Sequence, residues 1–361
     1  MLPKEDFMNR RTWLVLVAVF AYLLSFTPCD RGASAQSPGQ GPSGKVIVGT
    51  FGGDTVKVLS ETVDPVLAKA APNVKIVYAI GMNTERMTKM RVEKDGASSF
   101  DIIHVNDRDM QILINEGLLL KLDEAKIPNA KKIFPSFRND YYIPYNFSAN
   151  VILYNKDKVS PVPTSWEVLW DPKYKGKIGI QTNLWTDHMY IAALLEGTAY
   201  QNNWDAGWNR LLKLTEQEPK AFSSMETLGI ALQTGEVWLT VTRRARAVQW
   251  AAEGGAPLGN VLPKEGVYPV TFCAAIPKNA KNVDGAHAYL NALLDQKPQI
   301  GFAEVMGYTP TLSGIPLSEK VQSSIGFSDE EMKRIKPIDL IYVGKNDPKW
   351  KEQWDKKIIS R

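Results

Sequence analysis

The chain has 361 residues, with 43 Lys and Arg against 39 Asp and Glu, a formal charge of +4. So small a surplus, with no clustered basic stripe, excludes the phosphate-tracking electrostatics of a nucleic-acid binder. Only two cysteines, Cys29 and Cys273, exclude a scaffold held by several disulfides, and a chain of this length has core enough without them.

The N-terminus reads as an export signal. Arg10 and Arg11 precede an uncharged run from Trp13 to Phe26, and Ala33-Ser34-Ala35 supplies a small-x-small cleavage site. The run is shorter than the roughly 20 residues a spanning helix needs, which argues against a membrane anchor. The arginine pair with Thr12, Trp13 and Leu14 resembles a twin-arginine signal, and an ordinary secretory signal fits equally well. Met8 is an alternative start. Cys29 lacks the preceding small residues of a lipid-anchoring signal, so it belongs to the discarded segment. Residues 1–35 are therefore expected to be a signal peptide and 36–44 a flexible leader. Their removal takes away four basic and three acidic side chains and leaves +3. A mature protein with Cys273 alone forms no internal disulfide.

Beyond the leader, strands and helices alternate. Lys45 to Thr50 reads as a strand ending at Gly52-Gly53. Asp54 opens a helix with Val56, Leu59 and Val63 on one face, broken or restarted at Pro65. Val74 to Ala79 is a second strand. Asn83 or Thr84 caps a helix carrying Met87 and Met90, and Gly96 stops it. Phe100 to Val105 is a buried strand, and Asp107 starts a helix with Met110, Leu113 and Ile114. The pattern resumes with a strand at Val151 to Tyr154 and a capping box at Thr164-Ser165-Trp166-Glu167. Further strands are Ile178 to Gln181, Val237 to Val241 and Leu258 to Leu262. Short strands separated by helices predict an α/β fold around a parallel sheet, with length enough for two domains. Paired Trp204 and Trp208, and Trp350 and Trp354, sit four residues apart and predict buried helix faces.

Ligands of such sheets bind beyond the carboxyl ends of strands. Three such ends draw attention: Gly52-Gly53-Asp54, Ala79-Ile80-Gly81, and Asn106-Asp107-Arg108. The two glycines precede a helix N-terminus, where free N–H groups approach a ligand oxygen. An ordinary tight turn explains them equally.

The run Thr164 to Ile178, with Trp166, Leu169, Trp170, Pro172, Tyr174, Lys175 and Gly176, resembles a stretch of the periplasmic spermidine/putrescine-type solute-binding proteins of ABC transporters. So do Phe100-Asp101-Ile102-Ile103, Asp140 to Asn146, Leu262 to Gly266, Ala275 to Ala280, and Gly307-Tyr308-Thr309-Pro310. These occur in the family's order from about residue 45 to 355. The resemblance implies a type II periplasmic-binding-protein fold of two hinge-connected α/β lobes, 45–147 with 272–308 and 149–268 with 312–361. It implies a monomeric receptor in the periplasm that closes on a small solute and delivers it to a membrane permease. No cofactor, metal or catalysis is expected.

The resemblance also exposes departures. Polyamine sites surround cations with carboxylates and aromatic rings. Here the family's key acidic residue falls at Phe272 and a stacking Trp at Val270. Acidic positions fall near Asn183 and Thr186. Another stacking Trp falls at Arg243, followed by Arg244, and a family Tyr falls at Arg108. Asp107 and Asp187 remain as compensating acids. The expected ligand is accordingly anionic or zwitterionic, a carboxylate or phosphonate clamped by Arg243 or Arg244 with help from Arg108. Gly52, Gly53 and Asp54 would lie at the helix terminus, with Asn106 and Asp107 beside Arg108. Tyr145, Asn146, Thr182, Asn183 and Trp185 would form the rim and an aromatic wall. A solvated helix start is the plain alternative for Arg243-Arg244-Ala245-Arg246.

Three rivals stay open at this level. Polyamine binding follows the resemblance directly. Ferric-ion binding would use Tyr141 and Tyr142, although neighbours in a strand face opposite ways. A thiaminase-like enzyme would use Cys273, although Ala274-Ala275 suggest an apolar strand and a buried thiol. His104 lies in an apolar strand and reads as a satisfied core residue.

Overall fold

The computed structural model describes residues 41–253 and 257–360. The expected signal peptide, and the leader up to residue 40, lie outside the described residues. No described helix is long and apolar enough to cross a membrane.

Among the described residues ten strands form one sheet: β1 (Gly44–Thr50), β2 (Val74–Ile80), β3 (Ile102–Asn106), β4 (Tyr142–Asn155), β5 (Ile178–Gln181), β6 (Lys220–Phe222), β7 (Leu239–Arg243), β8 (Leu258–Val261), β9 (Pro269–Ala275) and β10 (Thr309–Pro310). The order is β2-β1-β3-β9-β4-β7-β5-β6, with β8 and β10 also on β4. Both outer parts are parallel, β2, β1 and β3 on one side and β7, β5 and β6 on the other. The middle is antiparallel, because β9 runs against both β3 and β4, and β4 against β7 and β8. The parallel sheet expected from strand–helix alternation therefore holds only at the flanks.

The cause is β4, whose fourteen residues are all buried. Tyr142 to Ala149 pair with β9, and Asn150 to Tyr154 pair with β7. One strand thus serves both parts of the sheet. The sequence predicted only its second half, because Tyr142, Pro144, Asn146, Ser148 and Asn150 interrupt the apolar run.

The helices are α1 (Asp54–Val58), α2 (Asp64–Ala70), α3 (Asn83–Val92), α4 (Asp107–Asn115), α5 (Trp185–Leu195), α6 (Trp208–Leu214), α7 (Met225–Gln233), α8 (Arg244–Glu253), α9 (Val283–Leu293), α10 (Gln296–Met306), α11 (Glu319–Ile325), α12 (Asp329–Met332) and α13 (Leu340–Trp354). Pro65 does not end the first of these runs. A π turn at Leu59–Val63 shifts the ladder ahead of it, and Pro65 sits in the first turn of α2, where its missing N–H costs nothing. Thr164-Ser165-Trp166-Glu167 caps a short 3-10 turn rather than an α-helix. Ser165 Oγ accepts from Glu167 N, and Glu265 takes the role expected of Glu167, receiving the Ser165 hydroxyl at 2.5 Å and Trp166 N at 3.2 Å.

Two large cores flank the antiparallel middle. One gathers Val151, Ile152, Trp166, Tyr190, Trp204, Trp350 and Trp354, with Trp204 and Trp350 stacked at 5.0 Å. The other gathers Val46, Val48, Leu59, Ile102, Tyr289 and Phe302. A smaller cluster of Met87, Val105, Met110, Leu113 and Cys273 lies beside the second. Where the cores adjoin, along a boundary called the seam, the charged side chains Arg243, Asp187, Arg108 and Asp347 collect.

Candidate functional site

On one side of the seam, Arg86 ties three strand ends together. It is 2 % exposed and donates to the carbonyls of Thr50 at 2.8 Å, Gly81 at 2.5 Å and His104 at 2.8 Å. Its guanidinium lies 4.6 Å over the Phe51 ring. Burial lowers the guanidinium to about 10, so it keeps its charge at neutral pH. Arg86 is a fixed cation beneath the ends of β1, β2 and β3 that the sequence did not single out.

Arg243 ends β7, directly opposite Asn150 of β4. Its NH1 donates to Asp187 Oδ1 at 3.1 Å and to Asn150 Oδ1, and its NH2 lies 3.4 Å from Asp187 Oδ2. Asp187 also accepts the Tyr268 hydroxyl at 2.5 Å and Asn150 Nδ2 at 2.6 Å. Burial pushes the Asp187 carboxyl up, but the Arg243 charge and these hydrogen bonds outweigh it and hold the carboxyl below its ordinary value. The Arg243 guanidinium moves up: burial opposes its charge, and Asp187 more than restores it. Within this pair the arginine side chain is 23 % exposed and the carboxylate 4 %. The positive partner faces the seam.

Arg244, one residue on, does not. It is buried, with NH2 2.5 Å from Glu331 Oε1, NH1 2.7 Å from the Gly326 carbonyl, and its guanidinium 4.2 Å over the Phe327 ring. The first turn of α8 rotates it away from Arg243, so the expected clamp reduces to Arg243 alone. Arg246 lies 6.0 Å from the Trp250 ring.

Arg108 reaches across the seam. Its NH2 lies 2.9 Å from Asp347 Oδ2, and its NH1 3.4 Å from Thr186 Oγ1. Its Nε is buried without a protein partner. Here too the arginine is the more exposed member, 32 % against 12 %. Trp185 donates its indole N–H to Asp347 at 3.0 Å.

Phe272 stands on β9 between Phe51 and Tyr308, at ring separations of 6.0 and 4.8 Å. These three rings form a partly exposed aromatic cluster, and the wall expected of Tyr145 is not found at Tyr145. Tyr145 is instead a core residue, 1 % exposed. Its hydroxyl meets His104 Nδ1 at 3.2 Å, and its ring packs on Phe302. His104 is bound on its other nitrogen by Tyr289, the satisfied core histidine that its apolar strand suggested.

The remaining candidates scatter. Asn106 caps α4, accepting from Asp109 N at 2.9 Å. Asp107 accepts from Arg108 N at 2.9 Å and Thr271 N at 3.3 Å. Burial drives its carboxyl up to about 6, against these hydrogen bonds and the charge of Arg243. It lines a cavity of about 90 Å³ with Arg138, Tyr142 and Thr271. Asn146 is buried, and Asn183 is exposed. The Thr182 carbonyl accepts the Trp354 indole at 3.0 Å. Gly52, Gly53 and Asp54 are exposed at the end of β1. Gly53 adopts φ 61°, a conformation that favours glycine, so the turn itself accounts for it. The helix that follows has only five regular residues before its π turn, which leaves little N-terminal dipole to offer a ligand.

The other chemistries fare poorly on geometry. Burial pushes the Cys273 thiol well above its ordinary value, the opposite of what a nucleophile needs. The Tyr142 phenol also rises by burial, and its ring lies in the core beside Cys273. Among the described residues no group of three or more His, Cys, Asp or Glu is placed to hold a metal ion.

The family profile described as bacterial extracellular solute-binding protein matches residues 66–329. The chain belongs to that family. Within it, this solute-binding protein is 33 % identical over 258 residues to the spermidine/putrescine-binding periplasmic protein of Escherichia coli, covering 66 % of this chain and 71 % of that one. It is 26 % identical to the putrescine/cadaverine-binding protein of Pseudomonas aeruginosa, covering 64 % and 71 %. An ABC transporter structure from Clostridium perfringens superposes with a TM-score of 0.77 at 26 % identity, over 87 % of this chain and 99 % of that one. The spermidine/putrescine substrate-binding protein of Streptococcus pneumoniae gives 0.72 at 23 %, over 86 % and 99 %, a likeness of fold. The fold of this solute-binding protein is the type II periplasmic-binding-protein fold, and the chain is a binding protein rather than an enzyme.

The site residues that sequence reasoning missed are Asn150, Tyr268, Asp347 and Arg86. Tyr308 was noted only as part of a family motif. Asn150, Asp347 and Arg86 are single polar residues inside ordinary strands or helices, and Tyr268 lies just before β9. Their partners lie far away in sequence, so no local spacing marks them.

Proposed function

We propose that this protein is the periplasmic receptor of an ABC importer, and that it closes as a monomer on a small solute carrying a carboxylate or comparable anionic group. The lobes would be 45–147 with 272–308 and 149–268 with 312–361, meeting at the seam. The observation that carries the ligand class is the asymmetry of the two seam ion pairs. Asp187 and Asp347 are turned inward and covered, and Arg243 and Arg108 are the exposed members. A solute entering the seam meets guanidinium N–H groups first. Buttressed guanidinium offers a rigid fork to a carboxylate and loses little freedom on binding. Arg86 adds further positive potential behind Phe51. Phe51, Phe272 and Tyr308 suit an apolar stem. A zwitterion fits as well as a simple anion, because Asp107 leaves one acidic group near Arg243.

A thermal-shift panel of ω-amino acids, dicarboxylates, phosphonates and polyamines tests the reading, since a ligand bound only by the folded state raises apparent stability. Stabilisation by a carboxylate or phosphonate and none by polyamines supports it. The second reading, polyamine binding, is favoured by the 33 % identity to a spermidine/putrescine-binding relative. Stabilisation by putrescine or spermidine alone would replace the first reading with the second.

A further inference from the structure

Helix α13 packs with one side of the seam: Val343, Trp350 and Trp354 are buried in the core that also holds Ile178, Leu239 and Met189. Arg108 belongs to the other side, because α4 buries Met110 and Leu113 with Val105 and Cys273. Asp347 lies between them. Its Oδ2 receives Arg108 NH2 at 2.9 Å, and its Oδ1 receives Thr186 Oγ1 at 2.7 Å and Trp185 Nε1 at 3.0 Å. Lys351, one turn further along α13, lies 5.3 Å over the Trp185 ring. Three donors from α4 and α5 therefore converge on one carboxylate of α13, and one of them comes from across the seam. Asp347 also lies beyond the span matched by the family profile, residues 66–329.

We infer that Asp347 is a positioning residue that latches the seam shut and, through the same carboxylate, sets Arg108, Trp185 and Thr186 in place for the solute. The inference rests on the reading that the two sides move as lobes. Each oxygen of Asp347 has a separate duty. Oδ2 holds the opposite lobe, and Oδ1 holds two side chains of its own lobe. Opening the seam takes Arg108 from Asp347 and from Thr186 Oγ1, whereas the Oδ1 bonds to Trp185 and Thr186 lie within one side, so those two side chains stay ordered in both states. The latch raises the closed fraction without touching solute, and apparent affinity scales with that fraction. Both side chains are only partly exposed, so salt weakens the pair less than it would a surface pair.

Small-angle X-ray scattering of the full chain without solute tests this. A compact chain of this length has a radius of gyration of about 20 Å, and opening raises it by roughly 1 Å. Asp347→Asn and Arg108→Gln should each produce that rise. The double variant should open no further than either single one, because both remove the same bond. Additive opening, or two single variants as compact as wild type at every salt concentration, overturns the latch. Asp347→Arg places like charges together and forces apart any lobes that can move. If it opens the protein while Asp347→Asn and Arg108→Gln do not, the lobes stand and the latch falls. If it stays folded and compact, the lobe reading itself fails. Should Asp347→Asn not fold, Arg108→Gln decides alone, since that side chain is one-third exposed.

Discussion

Arg243 and Arg244 are neighbours in sequence and belong to different regions of the molecule. Arg243 lies at the seam, its side chain 23 % exposed and backed by a covered carboxylate. Arg244 lies in the packing layer between α8 and the segment from Gly326 to Glu331, where its partners enclose it. Both are charged and both are paired, and Arg243 is the more exposed of the two. The difference teaches that an arginine is read by the exposure of its partner as much as by its own. On the proposed reading, a covered carboxylate under a partly exposed guanidinium is a candidate anion site, and a guanidinium enclosed by its partners is a structural tie.

The comparison breaks most severely at Asp187. Asp187→Ala leaves Arg243, Asn150 and Tyr268 without their common acceptor and should cost about 3–5 kcal/mol, the usual effect of stripping one partner from a buried pair. Urea unfolding measures it, and a loss under 1 kcal/mol would mean that the pair is not the keystone of this region. Arg244→Met should cost about 2 kcal/mol by removing the bonds to Glu331 and Gly326, with solute affinity unchanged. A change in affinity would place Arg244 at the site after all. Phe272→Asp restores an acid where the polyamine-binding relatives are expected to carry one. It should improve putrescine affinity about tenfold, or 1.4 kcal/mol, by calorimetric titration. No gain would show that Arg243, rather than Phe272, sets the preference.

A further test is in pH. Asp187 and Glu331 both have folded values below their ordinary ones. Burial raises each, and the paired arginine with its hydrogen bonds more than offsets it. Their stabilisation is complete above the ordinary carboxylate range and is lost as pH falls through the lowered folded values. Asp107 acts in the opposite sense. Its folded value of about 6 lies above 3.8, so the stability it contributes is present below pH 3.8 and is lost as pH rises through about 6. A stability–pH profile of Asp107→Asn should therefore lose the decline between pH 4 and 6 and keep the acid limb. An unchanged profile would remove Asp107 from this account.

Much of the fold was legible. The strands at β1, β2, β5 and β8 fall within a residue or so of their expected bounds, because each is a short apolar run bounded by turn residues. Half of β4 was not legible, because a strand buried on both faces and shared by two cores tolerates Asn and Ser that meet partners only in three dimensions. Departures from the family's pattern marked Arg243, Arg108 and Phe272, and all three side chains are partly exposed, as the proposed site requires. It was misread at Tyr145, whose hydroxyl is taken by His104, and at Arg244, whose partner Glu331 lies 87 residues away. Asp347 was invisible for the same reason: it meets Arg108 across 239 residues.

The central claim is that the seam presents positive charge to its solute. Mass spectrometry of whatever mild denaturation releases from the purified protein tests it most directly. The account predicts a small carboxylate or phosphonate, free or zwitterionic. Release of putrescine, spermidine or another polyamine without an acidic group would contradict it.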